Sequence, residues 1–347
     1  MARWNKPTIF AAAGGLGLLL AARAVIRRWR EDDLRNQVAL ITGGSRGLGL
    51  IMARQLLRQG AYVAICARDE PELERARHDL NQDHGQVLSV PCDVTNREQV
   101  HAMVQGVLRH FGRIDILINN AGAIQVGPVE LMTLDDYEAA MKVHFWGPLY
   151  TTLAVLPGMR QRRRGRIVNI ASIGGKISMP HLLPYNASKF ALVGFSEGLR
   201  AELAKDGILV TTVCPGLMRT GSPRNALFKG QHRAEYAWFS ISDALPIVSQ
   251  SAERAARQII AACKRGDAEV VLSLPAKLAT TVHALFPGCT ADILGVANTL
   301  MLPGTGGIGT AQLPGKYSTS PWSPSFLTTL SDRAAQRNNE TVRGEAP

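Results

Sequence analysis

The strongest constraint on the fold is an alternation of short apolar runs with helix-length stretches, sustained from Asn36 to Leu272. Runs at 38–42, 61–66, 87–91, 114–119, 166–170, 208–214 and 269–272 have the length and apolar content of strands. Helical stretches separate most of them, which predicts βαβ units and a parallel sheet with helices on both faces. Crossovers in such sheets are right-handed, so a doubly wound α/β fold follows with few competitors. Its ligand crevice lies beyond the carboxyl ends of the strands, where functional residues are therefore expected. No internal repeat and no interior linker divides this stretch.

The first run leads into Thr42-Gly43-Gly44-Ser45-Arg46-Gly47-Leu48-Gly49 and then an amphipathic helix. Gly43 allows a tight turn, Gly47 lets the backbone approach a pyrophosphate, and Gly49 lets the helix pack closely on the sheet. The free N–H groups at the helix start then face the phosphates. The spacing G-x-x-x-G-x-G differs from the commoner G-x-G-x-x-G fingerprint, and a glycine-rich connecting turn without a ligand remains the alternative at this point.

Tyr185 and Lys189 stand four residues apart at the opening of a helical stretch and share one of its faces. A free tyrosine titrates near ~10, and an adjacent ammonium favours its phenolate, which makes the pair a candidate acid/base. An ordinary surface Tyr and Lys on one helix would look the same. Ser172 closes the fifth run, where a hydroxyl could hydrogen-bond a substrate carbonyl or simply cap the strand end. Asn119-Asn120-Ala121-Gly122 ends the fourth run with polar groups able to brace the sheet edge or line a cofactor groove.

Taken together, Thr42-Gly43-x-x-x-Gly47-x-Gly49, Asn119-Asn120-Ala121-Gly122, Ser172, Tyr185-x-x-x-Lys189 and Pro215-Gly216 resemble the short-chain dehydrogenase/reductases in order and spacing. The resemblance covers about Gln37 to Leu272. It implies a single Rossmann domain, a central seven-stranded parallel sheet, and hydride transfer between NAD(P)(H) and an alcohol or carbonyl. By the same resemblance Tyr185 is the acid/base, Lys189 binds the nicotinamide ribose and depresses the tyrosine pKa, and Ser172 positions the substrate. Gly43, Ser45, Arg46, Gly47, Leu48 and Gly49 form the phosphate cradle. Asp93-Val94 contacts adenine, Asn120, Ala121 and Gly122 line the groove, and Pro215, Gly216 and Thr220 lie by the carboxamide. The pattern departs at Val143-His144-Phe145-Trp146-Gly147, where relatives place asparagine. In the family that position supports a water-linked proton relay, so His144 is expected to preserve the relay, alter its pH dependence, or mark a weakened enzyme.

Charge argues the cofactor choice. Ala67 stands where NAD-preferring relatives carry an acid, and Arg68 follows it, with Arg46 in the turn. Two guanidinium groups could clamp a 2′-phosphate, so NADP(H) is expected over NAD(H), with Asp69 the dissenting residue. The formal net charge of +11 comes with clusters at Arg27-Arg28-Trp29-Arg30 and Arg162-Arg163-Arg164 but no nucleic-acid motif, so nucleic acid is not expected as a partner. The 5 cysteines form no C-x-x-C pair and read as reduced core residues, and no ligand cluster accompanies His144 to suggest a metal.

Residues 1–35 read as a hydrophobic anchor with a basic flank. Thr8 to Ala22 is apolar, with Arg3 and Lys6 ahead and Arg23, Arg27, Arg28 and Arg30 behind. The heavier charge after the segment places the catalytic domain on the cytoplasmic side, and Ala22-Arg23-Ala24 leaves export with a cleaved signal peptide as the alternative. The catalytic domain is expected over 36–275. An apolar extension over 276–302 should pack on it, membrane or substrate contact being the alternative, and a tail over 303–347, rich in Gly, Pro, Ser and Thr, should be mobile. Leu227, Phe228, Tyr236, Trp238 and Phe239 in the segment after Gly216 suit an apolar lipid-, steroid- or retinoid-like carbonyl or alcohol, or ordinary packing. A homo-oligomer is compatible with the resemblance. The resulting expectation is a membrane-associated NADP(H)-dependent oxidoreductase, and the alternative is a catalytically weakened cofactor-binding scaffold or regulator.

Overall fold

The computed structural model describes residues 30–81 and 86–341, together with 22, 24, 25, 27 and 28. Apart from Ala22, the apolar stretch expected to anchor the chain lies outside the described residues.

Seven strands form one parallel sheet: β1 (Val38–Thr42), β2 (Tyr62–Ala67), β3 (Val87–Pro91), β4 (Ile116–Asn119), β5 (Gly165–Ile170), β6 (Ile208–Pro215) and β7 (Glu269–Leu272). Their order is β7-β6-β5-β4-β1-β2-β3, so the chain reverses direction across the sheet between β1 and β4. That reversal opens the crevice at the carboxyl ends of β1 and β4. Alternate residues of each strand point to opposite faces, and both faces are covered, which is why the runs are apolar throughout. Ala39 and Ile41 face a core with Leu50, Ile51 and Leu56 of α1 (Gly47–Leu57), Leu73 of α2 (Glu70–Asn81) and Ile259 of the later helix Ala252–Arg265. Val38 and Leu40 face the other core, with Val104 of α3 (Arg97–Phe111).

Between β4 and β5, α4 (Leu134–Met141) runs through a π-helical turn, Lys142–Trp146, into α5 (Gly147–Gln161). The wider turn swings His144 fully into the interior. After β5 comes α6 (Leu183–Leu203), which carries Tyr185 and Lys189; after β6 come α7 (His232–Ala244) and α8 (Ala252–Arg265). Phe228, Tyr236 and Phe239 are buried together with Val126 and Ala226, so ordinary packing accounts for these three aromatics of the segment after Gly216.

Two expectations for the C-terminal third need correction. The helices α9 (Leu274–Leu285) and α10 (Pro287–Met301) meet at 118° and leave most of their apolar side chains outward, Leu285 67 %, Ile293 66 % and Leu300 77 % exposed. Among the described residues no single helix is long and apolar enough to cross a membrane, though this bent pair passes the test of length and composition. The expected mobile tail instead runs back over the domain. Leu313–Pro314 pairs with Leu227–Phe228, which also pairs with Gln125–Val126, and α11 (Thr329–Arg337) lays Ala334 and Ala335 into the body. The tail has few large apolar residues, and its backbone and small polar side chains make the contacts instead, a mode of docking that hydropathy does not report. Of the cysteines, Cys66, Cys92, Cys214 and Cys263 are buried and unpaired as expected, whereas Cys289 on α10 is exposed.

Candidate active site

The edge formed by β4 and β5 is held by a buried polar ladder. Thr151 Oγ1 donates to Asn119 Oδ1 at 2.6 Å, Asn119 Nδ2 to Asn169 Oδ1 at 2.8 Å, and Asn169 Nδ2 to Ser196 Oγ at 3.0 Å. Each of these four side chains is bonded to the next, which fixes the strand ends against one another. Above this ladder Ser172 follows β5, its Oγ accepting from the Gly174 N–H at 3.0 Å. Asn186 secures the loop before α6, donating to the Met179 carbonyl at 2.7 Å and to Ser178 Oγ at 3.2 Å.

Lys189 Nζ lies 5.6 Å from the centroid of the Tyr185 ring and donates to the Ile170 carbonyl at 2.9 Å. The helical spacing thus places both groups on the face turned to the sheet edge, as expected. Their protonation differs from the expectation. Burial pushes the Tyr185 phenol up to about 12 and the Lys189 amine down to about 7. Desolvation penalises the charged form of each, and in this closed surrounding it outweighs the help an ammonium gives a phenolate.

His144 is wholly buried, its Nε2 accepting from the Ala123 N–H at 3.2 Å and its Nδ1 lying 2.8 Å from Ser188 Oγ. Ser188 Oγ in turn donates to the Tyr185 carbonyl at 2.7 Å. A backbone N–H can only donate, so Nε2 carries no proton and Nδ1 does, and the hydroxyl proton is spent on the carbonyl. The ring is therefore a neutral tautomer strung between the loop after β4 and the first turn of α6. It also meets the Tyr185 ring edge-on at 5.3 Å. Burial, then the Lys189 charge, drives its pKa well below the usual histidine value. Neither ring nitrogen is left to pass a proton to Lys189 in this arrangement, whereas the relay implied by resemblance runs largely through the backbone carbonyl of this position.

The glycine-rich turn is cross-linked to β4. Thr42 Oγ1 accepts from the backbone N–H groups of Asn120 and Ala121 at 3.0 and 3.1 Å, and Asn120 Nδ2 donates to the carbonyls of Thr42 and Gly43, each at 3.0 Å. The Asn120 side chain thus braces the turn. Gly122 lies against His144, whose Nε2 would stand 3.0 Å from a Cβ there. Gly47 has φ +53, and a Cβ on Gly49 would stand 2.1 Å from the Gly43 carbonyl oxygen, so no side chain fits there. Leu48 is buried behind the turn. Asp93 Oδ1 accepts from both the N–H and the hydroxyl of Thr95 at 2.9 Å, and Val94 packs by Gly147. Beyond β6, which ends in Pro215, the Gly216 N–H donates to the Leu272 carbonyl at 3.3 Å, and Thr220 Oγ1 donates to Ser222 Oγ at 2.8 Å.

The two arginines expected to clamp a 2′-phosphate do not act together here. Arg46 Nη1 bonds Glu72 Oε2 at 2.7 Å, and Ser45 Oγ donates to the same carboxylate. Arg68 is exposed and, among the described residues, has no hydrogen-bond or ion-pair partner. Asp69 is occupied in starting α2, its Oδ1 accepting from the Glu72 N–H at 2.8 Å.

Sequence reasoning missed four groups at the site. Glu72 of α2 takes the Ser45 hydroxyl and the Arg46 guanidinium. Asp243 of α7 accepts from the Met218 N–H at 3.2 Å and is pushed up to about 8 by burial. Asn339 donates to the carbonyls of Ser45 and Glu72 at 2.9 and 3.0 Å, and Glu340 accepts from the Gly221 N–H at 2.6 Å. Nothing in the polar run Asn338-Asn339-Glu340 marks it as a partner of a turn so distant in the chain.

Residues 37–227 match the model of the short chain dehydrogenase family. Over 276 residues the chain is 36% identical to the dehydrogenase/reductase SDR family protein 7-like of Anopheles gambiae, spanning 78% of this chain and 86% of that protein. Over 262 residues it is 34% identical to dehydrogenase/reductase SDR family member 7B of Bos taurus, spanning 74% and 79%. Among solved structures, L-sorbose reductase from Gluconobacter frateurii, complexed with NADPH and L-sorbose, aligns with a TM-score of 0.63 at 28% identity, over 70% of this chain and 97% of that one. A short-chain dehydrogenase from Streptomyces avermitilis aligns with a TM-score of 0.65 at 29% identity, over 76% and 97%. With the family model spanning more than half of the chain and the sheet in the order its turn and site require, the protein belongs to the short-chain dehydrogenase/reductases and is an oxidoreductase.

Proposed function

We propose that the protein interconverts an apolar alcohol and its carbonyl, prefers NADP(H) to NAD(H), and works at a membrane surface. The observation that carries the reading is the convergence of Ser172, Tyr185 and Lys189 at one sheet edge, with Lys189 Nζ 5.6 Å from the Tyr185 ring and donating to the Ile170 carbonyl. The cradle fits a dinucleotide, because Gly49 lets the turn close on itself where a Cβ would stand 2.1 Å from the Gly43 carbonyl oxygen, and Gly47, at φ +53, puts no side chain over the helix start. A nicotinamide bound there supplies or accepts the hydride. The chain's own groups do the rest. In reduction the Tyr185 hydroxyl gives its proton to the substrate oxygen, and Ser172 Oγ hydrogen-bonds that oxygen and holds it in line. Lys189 Nζ, 5.6 Å from the centroid of the ring, favours the phenolate when protonated, against the burial that raises the phenol.

NADP(H) is favoured by the exposed Arg68, by Ala67 in place of an acid at the end of β2, and by the engagement of Asp69 in its own helix start. An apolar substrate is favoured by the exposed Met179 and Leu183 just ahead of Tyr185. Membrane association is supported by the apolar 8–22 segment of the sequence and by the outward apolar face of α9 and α10. His144 lends no support to a weakened scaffold, since its ring braces the helix that carries Tyr185.

A panel of apolar ketones and alcohols with NADPH or NADP, followed at the nicotinamide absorbance, tests the reading. Turnover should require the Tyr185 hydroxyl, and Tyr185→Phe should still bind cofactor. A normal rate in Tyr185→Phe would remove the tyrosine from its role, and equal turnover with NADH at the same low concentration would remove the NADP preference. Fractionation of the tagged full chain, with recovery in the soluble fraction, would remove the membrane.

A further inference from the structure

The residues after α11 cross the mouth of the glycine-rich turn. The Asn338 carbonyl accepts the Gly47 N–H at 2.9 Å, and Arg54 of α1 donates to Asn338 Oδ1 at 2.9 Å and to the Arg337 carbonyl at 3.1 Å. Asn339 binds the Ser45 and Glu72 carbonyls through Nδ2 and accepts from Arg75 Nε at 3.2 Å through Oδ1. Glu340 then turns inward. One carboxylate oxygen takes the Gly221 N–H at 2.6 Å, and the other lies 3.1 Å from where a Gly47 Cβ would be. A carboxylate and a carbonyl thus hold the space over the turn and the first N–H of α1, the position at which a helix start attracts a phosphate.

We propose that Arg337–Glu340 is an intramolecular ligand of the pyrophosphate cradle, and that it and the cofactor exclude one another. The inference rests on the dinucleotide reading of the cradle. The contact is built for exchange. It is made of hydrogen bonds to backbone groups and arginines, which a diphosphate can also make, and it buries no large apolar side chain between Arg337 and Glu340. The same strap ties the cradle to the segment leading into α7: Gly221 is wedged so closely that a Cβ there would stand 2.7 Å from the Glu340 Cβ and 2.8 Å from the Ala335 Cβ. Lifting the strap therefore frees both the cradle and the start of the segment leading into α7. The free chain is held shut, and cofactor affinity is lowered by the fraction of molecules in which the strap is docked.

Hydrogen exchange read by mass spectrometry on the full chain, with and without NADP(H), tests the exclusion directly. Cofactor should slow exchange in the turn around Gly43 to Gly49 and speed it in the peptide covering Asn338 to Thr341. A chain ending at Arg337, and separately Asn339→Ala in the full chain, should bind NADP(H) about 10- to 100-fold more tightly, as removal of a docked competitor requires. Protection of both segments together, or equal or weaker binding by both variants, overturns the strap and makes the tail a wall of the site. Absence of protection in the turn with either NADP(H) or NAD(H), in every chain, overturns the dinucleotide reading itself and the competition with it.

Discussion

Replacing His144 by alanine distinguishes a brace from a proton carrier. The ring, itself fully buried, accepts the Ala123 N–H at 3.2 Å, hydrogen-bonds Ser188 at 2.8 Å and stands edge-on to Tyr185 at 5.3 Å. Truncation strands a buried N–H, a cost of about 1–3 kcal/mol, and forfeits an aromatic contact of about 0.5–1.5 kcal/mol. The loss of stability near neutrality should therefore be about 2–4 kcal/mol in urea denaturation. The pH dependence is the sharper readout. The folded pKa of His144 lies well below 6.5, so below that pH the unfolded chain binds a proton that the folded one does not. Its contribution is fully present above the unfolded value and is lost as pH falls toward the folded one, at up to about 1.4 kcal/mol per unit. The gap between wild type and His144→Ala should thus be widest above about pH 7 and narrow in acid. In steady-state assays the ratio of the two rates should stay flat between about pH 6 and 8, since the ring remains neutral there. A ratio that changes about tenfold per pH unit, or a stability gap that widens in acid, would refute the brace.

Three further outcomes follow from the geometry. Arg68→Glu should raise the Kd for NADP(H) by about 10- to 100-fold, the worth of a charge-assisted contact, with little effect on NAD(H); an equal change for both cofactors in a fluorescence titration would place the 2′-phosphate elsewhere. Lys229 is paired with Asp136 in the interior, both side chains almost inaccessible, so Lys229→Met should cost about 3–5 kcal/mol by leaving a buried carboxylate unpaired, and adding Asp136→Leu should restore most of it. A loss below about 1 kcal/mol in denaturation would show that the site admits water. Leu278→Glu with Ile293→Glu, on the outward faces of α9 and α10, should reduce co-sedimentation of the full chain with lipid vesicles, and unchanged binding would assign attachment to other residues.

The sheet was legible because its information is local. Every run predicted as a strand lies within two residues of an observed one, since apolar runs of that length, spaced by helices, have few other ways to bury themselves. Tyr185 and Lys189 were legible for a similar reason, as helical spacing alone puts them on one face. What escaped depended on partners far away in the chain. Arg46 looked free in the turn, yet Glu72 of the neighbouring helix takes it. The protonation of Tyr185 and Lys189 was read from their mutual charge, whereas the closed surroundings decide it. The tail was read from composition, and few large apolar residues suggested mobility. Its docking runs instead through backbone groups and the side chains of Asn338, Asn339 and Glu340, which hydropathy does not weigh.

The strap also carries its own pH dependence, with a definite sign. Burial first, then the nearby Glu72 charge, pushes Glu340 up, against the Gly221 N–H and the Arg46 and Arg224 guanidinium groups, to about 7 from its ordinary 4.5. A carboxyl whose docked pKa is raised favours the docked form most when protonated. Its contribution to docking is complete below about 4.5, declines between 4.5 and 7, and is least above 7. Raising the pH should therefore loosen the strap and expose the cradle. Glu340→Gln keeps the side chain's shape and stays neutral at every pH, so it mimics the protonated strap. Wild type and Glu340→Gln should bind NADP(H) within about fourfold of each other near about pH 5, and wild type should bind well over tenfold more tightly than the variant near about pH 8. The titration of the cofactor's own phosphates is common to both chains and cancels in the ratio. A ratio that stays at unity across that range means that the Glu340 carboxyl ionises freely while the tail is docked. In that case the carboxylate faces solvent, and the contact over Gly47 is not where the cradle is closed.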